Sequence, residues 1–545
     1  MHCLKLGPAV TSLLPGPVLS IATLTRYPVS QIRFCQTAAS SQEPPLIRVP
    51  RFLQKRAENV KQTRSKIKIP TVKPGKLLIQ SKNPERNQSA AYTLGKFEEA
   101  LLCSKGWKHK KSFGDYFTIN NTKSVAPFVP EHEDGKLKTF EKLNICKELV
   151  GVLDRINISH PTTVQLQTIP KIMKGHNVLC AAETGSGKTL SYLLPIVHKL
   201  QAARHQEGEG RIRAVVMVPS RELAQQVAAV SRTLCAPFGF RTRTVGGGRG
   251  VGNILRVFRD SNMDILVATP GALVKALRRN CLTLSELRFL VLDEADTMFD
   301  PSFSQLLEDI LQHTDISSGP KDTQGLQAKA QLLVVGATFP SGVGDVLSKV
   351  TDLGSVVVIK SKMLHFLMQH VKQTFLKIRG EEKVLELNRA LKMLQEEKKE
   401  GSVLVFCNKS STVNWLGYTL EELGISHVRL QGEMPATLRS GIFHSFQKGM
   451  VNVLVCTDIA SRGLDTSRVS LVVNYDFPDS HTDYIHRAGR VGRAGGAKDG
   501  EVLSFVTHPW EVELVQKIEL AARRRSCLPG METGIHEPKP KEEEP

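Results

Sequence analysis

The chain has 545 residues with ordinary apolar (41 %) and charged (23 %) fractions, enough for two or three domains with complete cores. No run approaches eighteen uninterrupted apolar residues, which excludes a spanning helix, and ten cysteines scattered without a Cys-x-x-Cys pair or a His cluster point to reduced thiols and no zinc. The net charge of +20 is uneven: residues 1–139 carry 23 Lys and Arg against 9 Asp and Glu, which leaves 50 against 44 for the rest, so a polyanionic partner or a targeting arm is implied.

The first acidic residue is Glu43, and before it come Lys5, Arg26 and Arg33 among Ser, Thr and apolar residues. Residues 1–40 therefore read as a mitochondrial transit peptide, addressed to the matrix. The competing address is nuclear or nucleolar, because 48–76 is dense in Lys and Arg and Arg523 to Arg525 form a second cluster. Both compartments contain RNA. Residues 41–136, rich in Pro, Lys, Gln and Asn, are expected to be a basic, largely disordered extension with one helix-like stretch near Leu94 to Leu102.

From Phe140 onward, strand-like apolar runs alternate with helical patterns: 177–180, 214–218, 264–268, 289–292 and 331–335. After a polar stretch at 361–373 the alternation resumes at 403–406, 427–430, 453–456, 471–474 and 502–506. Such alternation predicts two similar α/β domains, 137–362 and 370–525, each a parallel sheet covered by helices on both faces. Residues 526–545 read as a disordered tail, and His313 to Lys329 as a surface loop within the first domain.

Two signals carry chemistry. Ala182, Glu183, Thr184, Gly185, Ser186, Gly187, Lys188 and Thr189 lie between the strand at 177–180 and a helical pattern at 190–200. The two glycines let the backbone amides turn inward onto a triphosphate, with Lys188 against the β and γ phosphates and Thr189 on Mg²⁺. About a hundred residues later, Asp293, Glu294, Ala295 and Asp296 follow a buried strand, placing Asp293 on the metal and Glu294 against an attacking water. Either signal alone has a bland reading, a structural turn or a solvated helix start. Together they describe a nucleotide-driven motor.

The remaining motifs resemble the DEAD-box RNA helicases, superfamily 2 motors with two tandem RecA-like domains, from about Phe140 to Val506. Pro161, Thr162 and Gln165 resemble the family's Q motif, which implies that Gln165 reads adenine and Phe140 stacks on it. Pro219 to Ala224, Gly246 with Gly247, and Thr269 to Gly271 resemble the loops that grip RNA phosphates and sugars, which carries Arg221, Gly247, Thr269 and Gly271 over as RNA contacts. Gly336, Ala337 and Thr338 stand where the family has Ser-Ala-Thr, a motif that with Asp296 and His486 couples ATP state to strand separation. Gly336 removes one hydroxyl, and Ala272 replaces a family arginine.

In the second domain Thr457 to Asp465 resemble motif V, which implies RNA backbone binding by Thr457 and ribose binding by Asp465. His486 to Arg493 resemble motif VI, with Arg490 and Arg493 as arginine fingers. Arg439 keeps the arginine of a Gln-x-x-Arg motif whose glutamine is replaced by Ala436, and is expected to grip RNA. The resemblance implies an ATP site split between domains and RNA-stimulated ATP hydrolysis with Mg²⁺. It further implies local unwinding of duplexes in ribonucleoproteins. With a mitochondrial address and a basic arm, the expected partners are mitochondrial rRNA and large-subunit assembly proteins and, after rRNA, messenger RNA. An ATP-gated RNA clamp that scaffolds assembly with little unwinding is the alternative.

Overall fold

A computed structural model describes residues 76–122, 139–204, 211–247, 251–259, 262–299, 301–323, 328–338, 343–396, 401–458, 466–493 and 500–529. The segment read as a transit peptide, the basic cluster at 48–75, most of the tail and Asp465 lie outside the described residues.

Three short strands come first in the chain: β1 (Leu77–Ser81), β2 (Gln88–Ser89) and β3 (Tyr116–Ile119). The first domain then supplies β4 (Val178–Ala181), β5 (Ala214–Met217), β6 (Thr242–Val245), β7 (Ile265–Ala268), β8 (Phe289–Asp293), β9 (Gln331–Gly336) and β10 (Val357–Lys360). They form one parallel sheet in the order β10-β4-β9-β8-β5-β7-β6. Successive side chains serve opposite faces: Val178, Cys180, Val216 and Val291 enter one core, while Leu179, Ala181, Met217 and Leu292 enter the other. This two-sided burial is why these strands read as continuous apolar runs.

The second domain contributes β11 (Lys372–Lys377), β12 (Ser402–Phe406), β13 (Val428–Leu430), β14 (Val453–Cys456), β15 (Val469–Asn474) and β16 (Glu501–Val506). Its parallel order is β13-β14-β12-β15-β16-β11, and the sheet continues through β3, β1 and β2 as antiparallel neighbours. The extension therefore departs from expectation over residues 76–122, which are built into the second domain. Phe117 of β3 faces Phe375 of β11 with ring centroids 4.7 Å apart, and Trp107 packs on Phe117 at 5.5 Å. Residues 94–102 form turns and not the expected helix, with Phe97 and Leu101 exposed.

The helix Glu511–Arg524 locks this extension in place. Glu519, fully buried, accepts from the amides of Cys103 (2.6 Å) and Ser104 (3.0 Å), from the Ser104 hydroxyl, and from Arg523 at 2.8 Å. Arg523 also reaches Gln88 and the carbonyl of Arg86. In the second basic cluster Arg523 is buried, and the Arg525 guanidinium is bonded to the carbonyl of Ala90.

The loop expected at 313–329 is partly internal. Asn177 donates to the Ser317 carbonyl (2.6 Å) and to Thr351 (3.0 Å), and its Oδ1 accepts from Ser317 and from the amide of Leu332. These bonds satisfy the buried polar groups where the loop crosses the lower end of the sheet.

Candidate active site and nucleic-acid cleft

The phosphate-binding loop leaves the C-terminal end of β4 and enters the helix Lys188–Ala203. Gly185 and Gly187 have φ of 81° and 85°, values a β-carbon resists. At Gly187 that carbon would also stand 2.5 Å from the Gln165 amide nitrogen. Lys188 Nζ turns back to the carbonyls of Ala182 (2.8 Å) and Glu183 (2.9 Å), while Ser186 bonds the Glu183 carbonyl. The amide of Ala182 donates to Gly336 at the end of β9, so the loop and the Gly-Ala-Thr segment are neighbours.

Thr162 and Gln165 form a capping box for the helix Thr163–Met173, and both reach the phosphate loop: Thr162 Oγ1 bonds the Ser186 carbonyl at 2.8 Å, Gln165 Nε2 the Gly187 carbonyl at 3.0 Å. Gln165 thus orients the loop as well as standing beside it. Phe140 is 1 % exposed and belongs to the core of the first domain, so its ring presents no open face for stacking.

Asp293 ends β8, and Glu294 follows in the left-handed region at φ 50°, ψ 48°, an uncommon conformation for a side chain of this size. Both carboxyls are buried, and Glu294 Oε2 has no hydrogen-bond partner among the described residues. Burial, followed by the neighbouring Glu294 charge, pushes the Asp293 carboxyl up to about 6. Two close buried carboxylates with so little compensation suit a divalent cation, with Thr189 at the start of the facing helix. Tyr192 donates to Asp293 Oδ2 at 2.8 Å. The sequence reading passed over this tyrosine; its position one helical turn after Lys188 was the available signal.

Across the domain boundary lies the helix His481–Ala488 with the turn that follows it. His486 Nε2 is 3.0 Å from Asp296 Oδ2, which also accepts from Thr338 at 3.1 Å. Ligand atoms of Glu294, Asp296 and His486 lie within 4.8 Å of one another, the one such group among the described residues. Arg490 is fully buried, with Nε on the His486 carbonyl. Arg493 lies against Gly185, where an added β-carbon would be 3.0 Å from its Cγ, and Thr184 Oγ1 bonds the Gly489 carbonyl at 3.3 Å. The phosphate loop and the arginine pair therefore meet. Ala337, buried, lies beside them at the end of β9.

A second opening, a cleft of about 610 Å³, is lined by Arg221, Glu222, Gly247, Thr269, Gly271, Arg439 and Asp458. The Gly247 amide donates to Thr269 Oγ1 at 3.1 Å, joining two of the expected RNA loops. Arg439 Nε stands 3.4 Å from Glu222 Oε1 of the other domain, so this expected RNA contact is here a charge pair across the cleft. Thr457 follows β14 with its amide on the Leu430 carbonyl. Ala272, where an arginine was expected, is buried. Arg487, also without a role in the sequence reading, grips Asp458 with two bonds of 2.7 Å and reaches Asn408 and the Asp476 carbonyl, fixing three loops of the second domain.

A phosphate loop facing an arginine pair across a domain boundary, with a polar cleft alongside, defines a two-domain nucleotide-driven motor of the helicase type. The family model for the DEAD/DEAH box helicase matches residues 162–346, and that for the helicase conserved C-terminal domain matches 382–495. The chain is 47 % identical over 537 residues to the probable ATP-dependent RNA helicase DDX28 of Mus musculus, covering 97 % of this chain and 99 % of that protein. To the Homo sapiens protein of that name it is 48 % identical over the same shares. Among solved structures, Mss116p bound to ssRNA and AMP-PNP aligns with a TM-score of 0.60 at 23 % identity, over 70 % of this chain and 77 % of that one. S. cerevisiae Dbp5 bound to RNA and ADP BeF3 aligns with a TM-score of 0.58 at 23 % identity, over 71 % and 94 %. The chain belongs to the DEAD-box family and is an ATP-dependent RNA helicase.

Proposed function

We propose that the protein is an RNA-stimulated, Mg²⁺-dependent ATPase that opens short RNA duplexes locally, in mitochondria, during assembly of the large ribosomal subunit. One observation carries the enzymatic part: Arg493 against Gly185, and Thr184 against Gly489, bring half-sites from two domains to one place. A triphosphate between them would be held by the loop amides and Lys188 on one side and by Arg490, Arg493 and Asp465 on the other. Thr189 and Asp293 would hold Mg²⁺, which supplies charge neutralisation at the phosphate oxygens. Glu294 would take a proton from water as its oxygen attacks the γ phosphorus and the bond to ADP breaks. Asp296, His486, Ala337 and Thr338 would transmit that state to the cleft, where Arg221, Gly247, Thr269, Gly271 and Thr457 contact the RNA backbone.

The mitochondrial address rests on residues 1–40, free of acidic side chains, and the rRNA assignment on that address together with the basic region 1–139. The clamp reading keeps one observation in its favour, Gly336 in place of a serine in the coupling segment. Glu294→Gln tests the core of the proposal. It is expected to bind ATP and RNA normally and to hydrolyse ATP at least a hundredfold more slowly. Unchanged turnover would refute the assigned base, while turnover lost without any unwinding by the parent protein favours the clamp.

A further inference from the structure

Because β12, β15, β16 and β11 are parallel, their C-terminal ends share one edge of the second domain. The loops after β12 and β14, carrying Asn408 and Thr457, emerge there, on the RNA side. Strand β3 is antiparallel to β11, so the segment just before it, 108–115, is brought to that same edge. Four strand spacings, roughly 20 Å, separate it from the loop after β12.

That segment is Lys108, His109, Lys110, Lys111, all exposed. None of its three lysines stands within ion-pair distance of an acid among the described residues; Lys108 lies near Glu513, whose carboxyl is held below its ordinary value first by Lys517 and more weakly by Lys108. The acidic groups around them are engaged: Asp115 with Lys82, Glu513 with Lys517, Glu511 with the amides of Thr507 and His508, and Glu382 with the amide of Arg379.

Aromatic faces stand among these cations. Trp510 is 73 % exposed and stacks on His508 with centroids 4.1 Å apart and planes 5° from parallel. Phe113 lies under Lys377 (5.3 Å) and Arg379 (5.7 Å), and Lys377 bonds the Thr507 carbonyl, so the two clusters are joined by one side chain. A large exposed indole preordered by stacking, among unpaired lysines on a rigid sheet edge, suits nucleobases and phosphates and suits no apolar partner.

We propose that the docked extension builds a second RNA-binding surface on the edge of the second domain, Lys108, Lys110, Lys111 and Trp510, that takes single-stranded RNA continuing out of the cleft. It rests on the reading of the cleft as the RNA site but differs from it in one respect. Every residue of the surface belongs to one domain, so its affinity does not depend on nucleotide, whereas cleft binding requires closure.

The test uses the full chain and two single-stranded RNAs of mixed sequence, 10 and 30 nucleotides long. Without nucleotide, replacing Lys108, Lys110 and Lys111 by Gln is expected to weaken binding of the 30-mer about tenfold and to lower the slope of log K against log salt by about 2. Trp510→Ala is expected to weaken it severalfold with no change of slope. Both variants should keep the parent melting temperature and the ATPase rate stimulated by the 10-mer. Unchanged 30-mer affinity and salt slope in the triple variant overturn the surface, as does an equal loss on both RNAs once a non-hydrolysable ATP analogue has closed the cleft. Failure of the 10-mer to stimulate the parent protein would instead strike the cleft reading, leaving the nucleotide-free 30-mer measurement to decide the surface.

Discussion

Asp293 and Glu294 show how one residue step sets the chemistry. The strand delivers Asp293 inward, and the left-handed turn at Glu294 brings the next carboxyl to the same buried pocket, where regular strand geometry would send it to the opposite face. Tyr192 is then the group that fixes which way Asp293 points. Tyr192→Phe removes one hydrogen bond to a buried carboxylate and leaves that oxygen unsatisfied, at a cost of about 1–3 kcal/mol. Expected are a drop in kcat of about tenfold at saturating ATP, a higher Mg²⁺ requirement and a lower melting temperature; steady-state kinetics with Mg²⁺ titration and a thermal melt check all three. Of this site, Lys188, Thr189, Asp293 and Glu294 were legible because backbone geometry forces those residue types at fixed spacing from a strand. Tyr192 and Arg487 were not, since their partners lie 101 and 29 residues away, and the one local mark, Tyr192 standing a helical turn after Lys188, names no partner.

At the scale of elements, legibility follows how much of the signal is local. The buried parallel strands announce themselves as apolar runs because both faces are covered by helices. Strands β1 to β3 do not: β2 has two residues, and Gln88, Ser81 and Thr118 are polar yet buried. Their order comes from pairing with β11, 256 residues away at Thr118 and Thr374, and from the Glu519–Arg523 lock, whose contacts to the extension span more than 400 residues. Covering β11 also removes an open sheet edge. Glu519→Ala leaves Arg523 buried without its carboxylate, a loss of about 3–5 kcal/mol, and is expected to release the extension. Cys103 reports it: burial and the Glu519 charge push its thiol up to about 11. Near pH 8 the folded protein therefore keeps about one thiolate in a thousand there, and its alkylation rate should climb roughly tenfold per pH unit below pH 11. In the Glu519→Ala protein, labelling of Cys103 at pH 8 should accelerate by two orders of magnitude, read by mass spectrometry against Cys281 as an internal standard.

For the whole molecule the decisive contacts are those that exist only when the domains face each other: Thr184 with Gly489, Asp296 with His486, and Glu222 with Arg439. The first two flank the proposed nucleotide site. The third stands in the proposed RNA cleft, where it would link RNA occupancy to closure by charge. At 3.4 Å the Arg439–Glu222 pair is a charge contact without a hydrogen bond, and both Glu222 oxygens lack a hydrogen-bond partner among the described residues. To meet an RNA phosphate Arg439 must leave a buried carboxylate uncompensated, and Glu222 would then repel the strand unless the groups rearrange. This gives a measurable coupling. Arg439→Ala leaves Glu222 unpaired beside the RNA path and is expected to raise the RNA concentration for half-maximal ATPase by about tenfold. Glu222→Ala removes a repulsion along with the pair and should change it by less than threefold. If closure and RNA grip share this contact, the double variant resembles Glu222→Ala with a modest further loss, a coupling energy of about 1 kcal/mol in the double-mutant cycle. Strict additivity would mean that Arg439 meets RNA independently of Glu222, as the sequence alone suggested.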